Sequence, residues 1–353
     1  MQASLINRMH AARKLTRRVL AAAVLQATVV GCVLNGAGAF AGRFRSNSRP
    51  AANLRIVAPD LKTPLLERSP ALSYPHDPVR VAVFERINRD RTDAGLKAVE
   101  WDEGAARVAD AFCAQQVRER SRGHFLTNGV PPYARTGLAG VFGMQSENSV
   151  SWTTTALEIR ERLEDLALLG HEEMIAEKPP NDGHRKTILD PDATHVGVGY
   201  AAGEGRFQMA QEFLTRHLER LRVSQASRPA HAVRLDGRTV EARTLQFVTV
   251  SVEPAPRPLT RTEANARSSY SYPRPSFAYV PEGRGAVEVG GVGTQSVIRM
   301  RRNREFSFTV AADSPGLWTI LFYTATGDGK PASPGGLAVV WVEPEAEATE
   351  GPR

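Results

Sequence analysis

Cysteine is almost absent from this sequence: Cys32 and Cys113 are the only two among 353 residues. Once Cys32 is removed or lipidated, no intramolecular disulfide remains to hold the fold, whatever the redox compartment. Cys113 sits with Val108, Ala109 and Phe112 on one apolar helical stripe, the setting of a buried, inert thiol rather than a nucleophile. No apolar run is long enough to span a bilayer comfortably as a permanent helix; the stretch Val19 to Val30 is too short. A basic stripe with interleaved aromatics is also missing. The net charge of +7 rests on 45 Lys and Arg against 38 Asp and Glu, and Arg8, Arg13, Lys14, Arg17, Arg18, Arg43 and Arg45 at the N-terminus hold much of the excess. Nucleic acid is therefore excluded as the expected partner. There is no His-Glu-x-x-His helix, no Gly-x-Ser-x-Gly elbow and no internal repeat.

What is present begins with an address. Arg13, Lys14, Arg17 and Arg18 precede the apolar run and small residues follow it, the order of a signal peptide over residues 1–32. Two exits are open. Val29-Val30-Gly31-Cys32 resembles a lipobox, in which Cys32 is lipidated; Gly36-Ala37-Gly38-Ala39 offers ordinary cleavage. Either places the protein outside the cytoplasm, secreted, periplasmic or lipid-anchored to the envelope, with that anchor as its only membrane contact.

A length of 353 residues exceeds what one core usually organises, so two domains are expected. Residues 33–75 lack a sustained period and read as a flexible linker. Val79, Val83 and Ile87 then predict a helix ending near Ala94-Gly95, and Asp102 can cap a second one. A third helical region is predicted from Thr155 to Glu177, with Leu157, Leu166 and Met174 on its apolar face. Val196, Val198 and Tyr200 alternate as a strand, and Phe207, Met209 and Phe213 belong to its return. From about 222 the helical period gives way to β-rich runs at Phe247–Val252, Glu305–Val310, Leu317–Tyr323 and Ala338–Val342. These predict an all-β domain over 222–345, an immunoglobulin-like sandwich, followed by a disordered tail at 346–353. The Pro-, Ser-, Tyr- and Arg-rich interval 254–296 resists placement.

The chemistry-bearing residues cluster in order. Gly123-His124-Phe125 and Ser146-Glu147-Asn148 come first; Asn181-Asp182-Gly183-His184-Arg185-Lys186-Thr187-Ile188-Leu189-Asp190-Pro191 and Thr194-His195-Val196-Gly197-Val198-Gly199-Tyr200 follow. With Asn88, Trp101-Asp102 and Gln211-Glu212-Phe213, this ordered set resembles the bacterial branch of the CAP superfamily (SCP-like extracellular proteins), over roughly residues 77–218. The resemblance implies an α+β fold, an α-β-α sandwich at residues 76–218. It also implies a cleft holding His124, Glu147, Glu177 and His184, with Glu173 as an alternative to Glu177 one helical turn earlier. Thr187 stands where the family usually has Asn.

Two imidazoles and two carboxylates converging in one cleft can hold a divalent cation such as Zn²⁺, with His124 and His184 as ligands and Glu147 or Glu177 acting on a water. They do not require one, and no cofactor is needed for the reading that follows. His195 and His171 are read as structural and as solvated respectively, and Arg185 as the partner of an acid at a helix end. The expected function is a ligand-binding or scaffold module at the cell envelope, taking a lipid, peptide or cell-wall polymer. The alternative is a zinc-assisted hydrolase of peptide or cell-wall material.

Overall fold

The computed structural model describes residues 54–57, 76–226, 231–285 and 287–344. The expected signal peptide with Cys32, most of the expected linker and the tail at 346–353 lie outside the described residues. The first element, β1 (Leu54–Val57), falls inside that linker and belongs to the C-terminal sheet. Four residues are too short for an alternation to stand out.

Asp77 opens α1 (Pro78–Asp93) by accepting the Arg80 N–H at 3.1 Å, and Pro78 occupies a first-turn position where its missing N–H costs nothing. Val79, Val83 and Ile87 are buried, as their spacing predicts. Strand β2 (Glu100–Trp101) leads to Asp102, which accepts the Ala105 N–H at 2.7 Å and caps α2 (Glu103–Glu119). Cys113 on this helix is fully buried, and burial pushes its thiol well above the ordinary value. A short helix, α3 (Pro132–Leu138), precedes strand β3 (Met144–Thr153). The predicted third helix is two. Its chain bends at Arg162, between α4 (Ala156–Glu161) and α5 (Leu163–Ile175), so Leu157 is 63% exposed while Leu166 and Met174 are buried.

The short helix α6 (Gly183–Ile188) carries His184 into the fold, and β4 (His195–Gly203) and β5 (Arg206–Thr215) form the expected hairpin. The sheet order is β2-β4-β5-β3, which leaves β3 on the outside. Side chains alternate across it. Val196, Val198, Met209 and Phe213 face the core shared with Val83, Ile87, Leu166 and Met174. Gly197 and Gly199 face the backbone of α2, where a Cβ at Gly197 would lie 2.1 Å from Ala106 N. Helices thus cover both faces of the sheet.

The C-terminal sheet starts at once. Its strands are β6 (Leu218–Gln225), β7 (Ala232–Thr239), β8 (Arg243–Glu253), β9 (Phe277–Pro281), β10 (Glu288–Val289), β11 (Val292–Met300), β12 (Glu305–Ala311), β13 (Gly316–Thr326) and β14 (Ser333–Pro344). The four predicted β runs lie in β8, β12, β13 and β14. The hydrogen-bonded path is continuous, β1-β14-β13-β8-β9-β11-β12-β7-β6, with β10 on β11 and only β9–β11 parallel. Two separate sheets, as in an immunoglobulin-like sandwich, do not appear in that order. The sheet curls instead, so that Phe306, Phe308, Phe322, Ile320 and Leu235 share one core, and His231 Nδ1, just before β7, lies 2.7 Å from Leu54 O of β1.

The interval after β8 crosses back to the first domain and includes α7 (Arg261–Ala266), opened by a capping box of Thr260 and Glu263. Phe125, Tyr133 and Ala134 of the first domain pack with Leu259, Ala264, Tyr270, Leu317, Leu337 and Val339 of the second. At the junction between domains, His217 is buried; its N–H donates to Gly335 O at 2.6 Å and its Nδ1 lies 2.9 Å from Thr324 Oγ1.

Candidate functional site

Strand β3 presents Glu147 on one face and Asn148 on the other, because neighbours in a strand point oppositely. Each organises one histidine. His124 enters from the loop after α2, and its Nδ1 lies 2.7 Å from Glu147 Oε1; both side chains are fully buried. Arg135 of α3 pairs with Glu147 Oε2 and donates to His124 O at 2.9 Å, with its guanidinium stacked 3.9 Å over the Phe112 ring. On the other side, His184 is gripped twice by Glu177: Nδ1 lies 2.6 Å from Oε1, and the His184 N–H donates to Oε2 at 2.9 Å. Asn148 Nδ2 donates to His184 O at 3.2 Å, joining that pair to β3.

Glu177, rather than Glu173, is thus the acid on His184. Glu173 is half-buried, which raises its carboxyl, and Glu172 pairs with Arg86 at 3.0 Å. A carboxylate at Nδ1 fixes each imidazole's orientation and leaves Nε2 as the accepting nitrogen. The Nε2 of His184 is buried without a hydrogen-bond partner among the described residues. Those residues offer zinc too few ligands: no three of His, Cys, Asp and Glu among them are grouped so as to hold a metal.

Several neighbours were not legible in the sequence as site residues. Glu212 on β5 stands directly across from Glu147 and is fully buried, with Gln145 Nε2 donating to its Oε2 at 2.5 Å. Burial, then the charge of Glu147, pushes the Glu212 carboxyl well above the ordinary range. Burial also raises Glu147, but Arg135 opposes it. Two buried carboxyls side by side do not both ionise, and the proton rests on Glu212 because Arg135 is bonded to Glu147. The one visible signal was an acidic residue in a strand whose apolar positions, Phe207, Met209 and Phe213, alternate around it.

His171 corrects an expectation. It is fully buried rather than solvated; its Nε2 lies 2.8 Å from Asp90 Oδ2 and its Nδ1 accepts from Gln211 Nε2 at 3.0 Å. Burial would raise Asp90, but the bond and charge of His171, with those of Arg86, hold it below the usual carboxylate range. Arg185 takes no acid among the described residues; it donates to Ile175 O at 2.5 Å and caps α5. His195 opens β4 beside Thr194 and Glu100, consistent with a structural place.

The least expected contribution comes from the second domain. The Tyr270 ring meets His124 edge-on at 5.1 Å, and Tyr272 stacks on Tyr133 at 4.8 Å. Both hydroxyls bind the open edge of β3. Outside this cover lies a groove of about 260 Å³, lined by Phe125, Tyr133, Glu253, Arg257, Arg267 and Tyr270 among others. Tyr133 donates to Glu253 Oε2 at 2.8 Å, and burial raises the Glu253 carboxyl.

The model of the cysteine-rich secretory protein family, CAP, matches residues 84–215. That span holds His124, Glu147, Glu177 and His184. Residues 84–215 are a CAP domain. A curated relative, the uncharacterized protein YkwD of Bacillus subtilis (strain 168), is 29% identical over 118 residues, which is 33% of this chain and 40% of that protein. Among solved structures, an outer surface protein from Borrelia burgdorferi is similar at 15% identity and a TM-score of 0.33, over 42% of this chain and 99% of its own. An extracellular protein containing a SCP domain, from Bacillus anthracis str. Ames, is similar at 20% identity and a TM-score of 0.31, over 41% of this chain and 45% of its own. The matched residues hold most of α1, helices α2 to α6, the four-stranded sheet and the histidine–carboxylate pairs. The sheet beyond Leu218 lies outside the matched residues.

Proposed function

We propose that this chain is an exported CAP-domain protein of the bacterial cell envelope that binds or scaffolds an envelope ligand, a lipid, a peptide or a cell-wall polymer, at the His124, Glu147, Glu177 and His184 cleft. The basic flank and short apolar run at Arg13 to Val30 support export. No described helix is long and apolar enough to cross a membrane.

One observation carries the binding reading. Tyr270 lines the groove between the domains with one side and packs against His124 with the other, while His124, Glu147 and His184 are wholly out of solvent. His124 and Glu147 so placed form a rigid wall behind that groove, while His184 lies on the opposite side of β3. All three are poorly placed to reach bulk substrate and water for turnover. The zinc-assisted hydrolase is the second reading. A carboxylate behind each imidazole favours it, and the missing third ligand among the described residues weighs against it.

Incubating the full chain with peptides, cell-wall material and lipid vesicles, with and without chelator, tests the proposal. Saturable binding without turnover supports it. Turnover that chelator abolishes, and that a folded His184→Ala variant lacks, overturns it in favour of the hydrolase.

A further inference from the structure

Away from the cleft, four arginines from three separate segments are brought together where α7 meets the CAP domain. Arg120 and Arg122 lie in the turn after α2, Arg206 opens β5, and Arg261 opens α7. Contacts to the backbone fix this meeting. Arg206 and Gln208 both donate from their side chains to Ser121 O at 3.3 Å, and the Arg122 N–H donates to Asn265 Oδ1 at 2.9 Å. Arg120 itself takes a left-handed conformation at φ 54, which a side chain disfavours. The turn is therefore held in shape by its surroundings.

At Arg206 and Arg261 the charge balance is one-sided. Glu204 answers Arg120 at 2.9 Å, with both side chains well exposed. Arg206 and Arg261 form no ion pair among the described residues. Arg206 Nε is buried without a hydrogen-bond partner among those residues, and so is the hydroxyl of Ser121, a residue with no solvent exposure. Burial first, then the charges of Arg120, Arg261 and Arg122, all lower the Arg206 guanidinium's hold on its proton. Like charges gathered from distant parts of a chain cost stability unless an anion joins them. The planar guanidinium fork matches a phosphoryl group's oxygens bidentately.

We propose that Arg120, Arg122, Arg206 and Arg261 form a binding site for a phosphoryl anion, separate from the histidine–carboxylate cleft. The anion is either a free phosphate compound or the phosphate of an anionic lipid headgroup; the recognising chemistry is the same. This site stands or falls independently of the cleft's role.

The test uses the full chain, titrated calorimetrically with pyrophosphate and sedimented with phosphatidylglycerol or phosphatidylcholine vesicles. The wild type is expected to bind pyrophosphate saturably at one site. The Arg206→Gln/Arg261→Gln variant should lose about tenfold or more in affinity, the scale of a lost charge-assisted contact. An Arg301→Gln/Arg302→Gln variant removes the same charge from an exposed turn elsewhere and should bind as the wild type does. Binding to phosphatidylglycerol but not phosphatidylcholine vesicles, lost in the cluster variant, assigns the headgroup; pyrophosphate binding alone assigns a free anion. The proposal is overturned if neither probe binds, if the folded cluster variant keeps full affinity, or if the control loses as much. Should Arg206→Gln fail to fold, Arg261→Gln alone decides, since Arg261 is exposed at a helix start: unchanged affinity rejects the site.

Discussion

The Tyr270 hydroxyl accepts the Glu147 N–H at 2.8 Å, so a residue of the C-terminal domain completes the outer strand of the CAP domain. Two positions away, Tyr272 accepts the Gln145 N–H at 3.0 Å and donates to Gln145 O at 2.9 Å. These are the bonds a further strand would have made. Replacing Tyr270 with Phe keeps the ring against His124 but strands a buried N–H, at a cost of about 1–3 kcal/mol. Chemical denaturation should show that loss, and hydrogen exchange at the Glu147 amide should accelerate. An unchanged exchange rate would mean the tyrosine only packs.

Glu212 gives stability a pH dependence. The folded chain keeps this carboxyl protonated while the unfolded chain releases its proton in the ordinary carboxylate range. Rising pH therefore favours unfolding, by up to about 1.4 kcal/mol per pH unit above about pH 4.3. Glu212→Gln retains an acceptor for Gln145 and removes the titration. Urea curves should find it more stable than the wild type at neutral pH and nearly equal at about pH 4. A variant less stable at neutral pH would refute the protonated assignment.

His217 acts in the opposite direction. Burial, then the nearby Arg243 charge, lowers its pKa to about 4 from an ordinary 6.5. The folded state binds the proton less readily than the unfolded, so the contribution is whole above 6.5 and drains away as pH falls toward 4. The slope is at most about 1.4 kcal/mol per pH unit. A His217→Gln variant should show a flatter acid limb in the same urea series, and an unaltered limb would remove His217 as the cause.

Gly197 and Gly203 lie on the same strand and should respond differently to Ala. At Gly197 the new Cβ would lie 2.1 Å from Ala106 N and 2.7 Å from Ala105 Cβ, both in α2, so the helix must move. At Gly203 its nearest neighbour would be Val117 Cγ1 at 3.3 Å, a side chain that can yield. Gly197→Ala should cost about 1–3 kcal/mol or more, and Gly203→Ala under about 1 kcal/mol, read from denaturation midpoints. Equal losses would contradict the close helix–strand approach.

Local signals were legible in the sequence wherever chemistry and pattern agreed. Asp77 and Asp102 cap the helices that follow them, and the alternation of Val196, Val198 and Tyr200 marks β4. The order of motifs also pointed to His124, Glu147, Glu177 and His184, which the structure joins as two pairs. What stayed hidden depends on register and on contacts far apart in sequence. Glu212 gains its place only because β5 pairs with β3 so that it faces Glu147. His171 reads as an ordinary polar helix residue until Asp90 and Gln211 close around it. Tyr270 and Tyr272 lie in an interval without periodicity, because their order comes from the other domain's strand edge rather than from a repeat of their own.

Strand β1 has a consequence for assembly. Leu54 pairs with Pro344 and Val57 with Trp341, so the first described strand to be synthesised finds its neighbour only in the last. The CAP domain is made between the two. Until β14 arrives, the sheet cannot close and the edge of β3 waits for its tyrosines, both of them exposed pairing edges. A chain cut after the CAP domain would keep His124, Glu147, Glu177 and His184 and still lack the tyrosines that bond the edge of β3. For this protein, the second domain is the step that makes the first one safe to release.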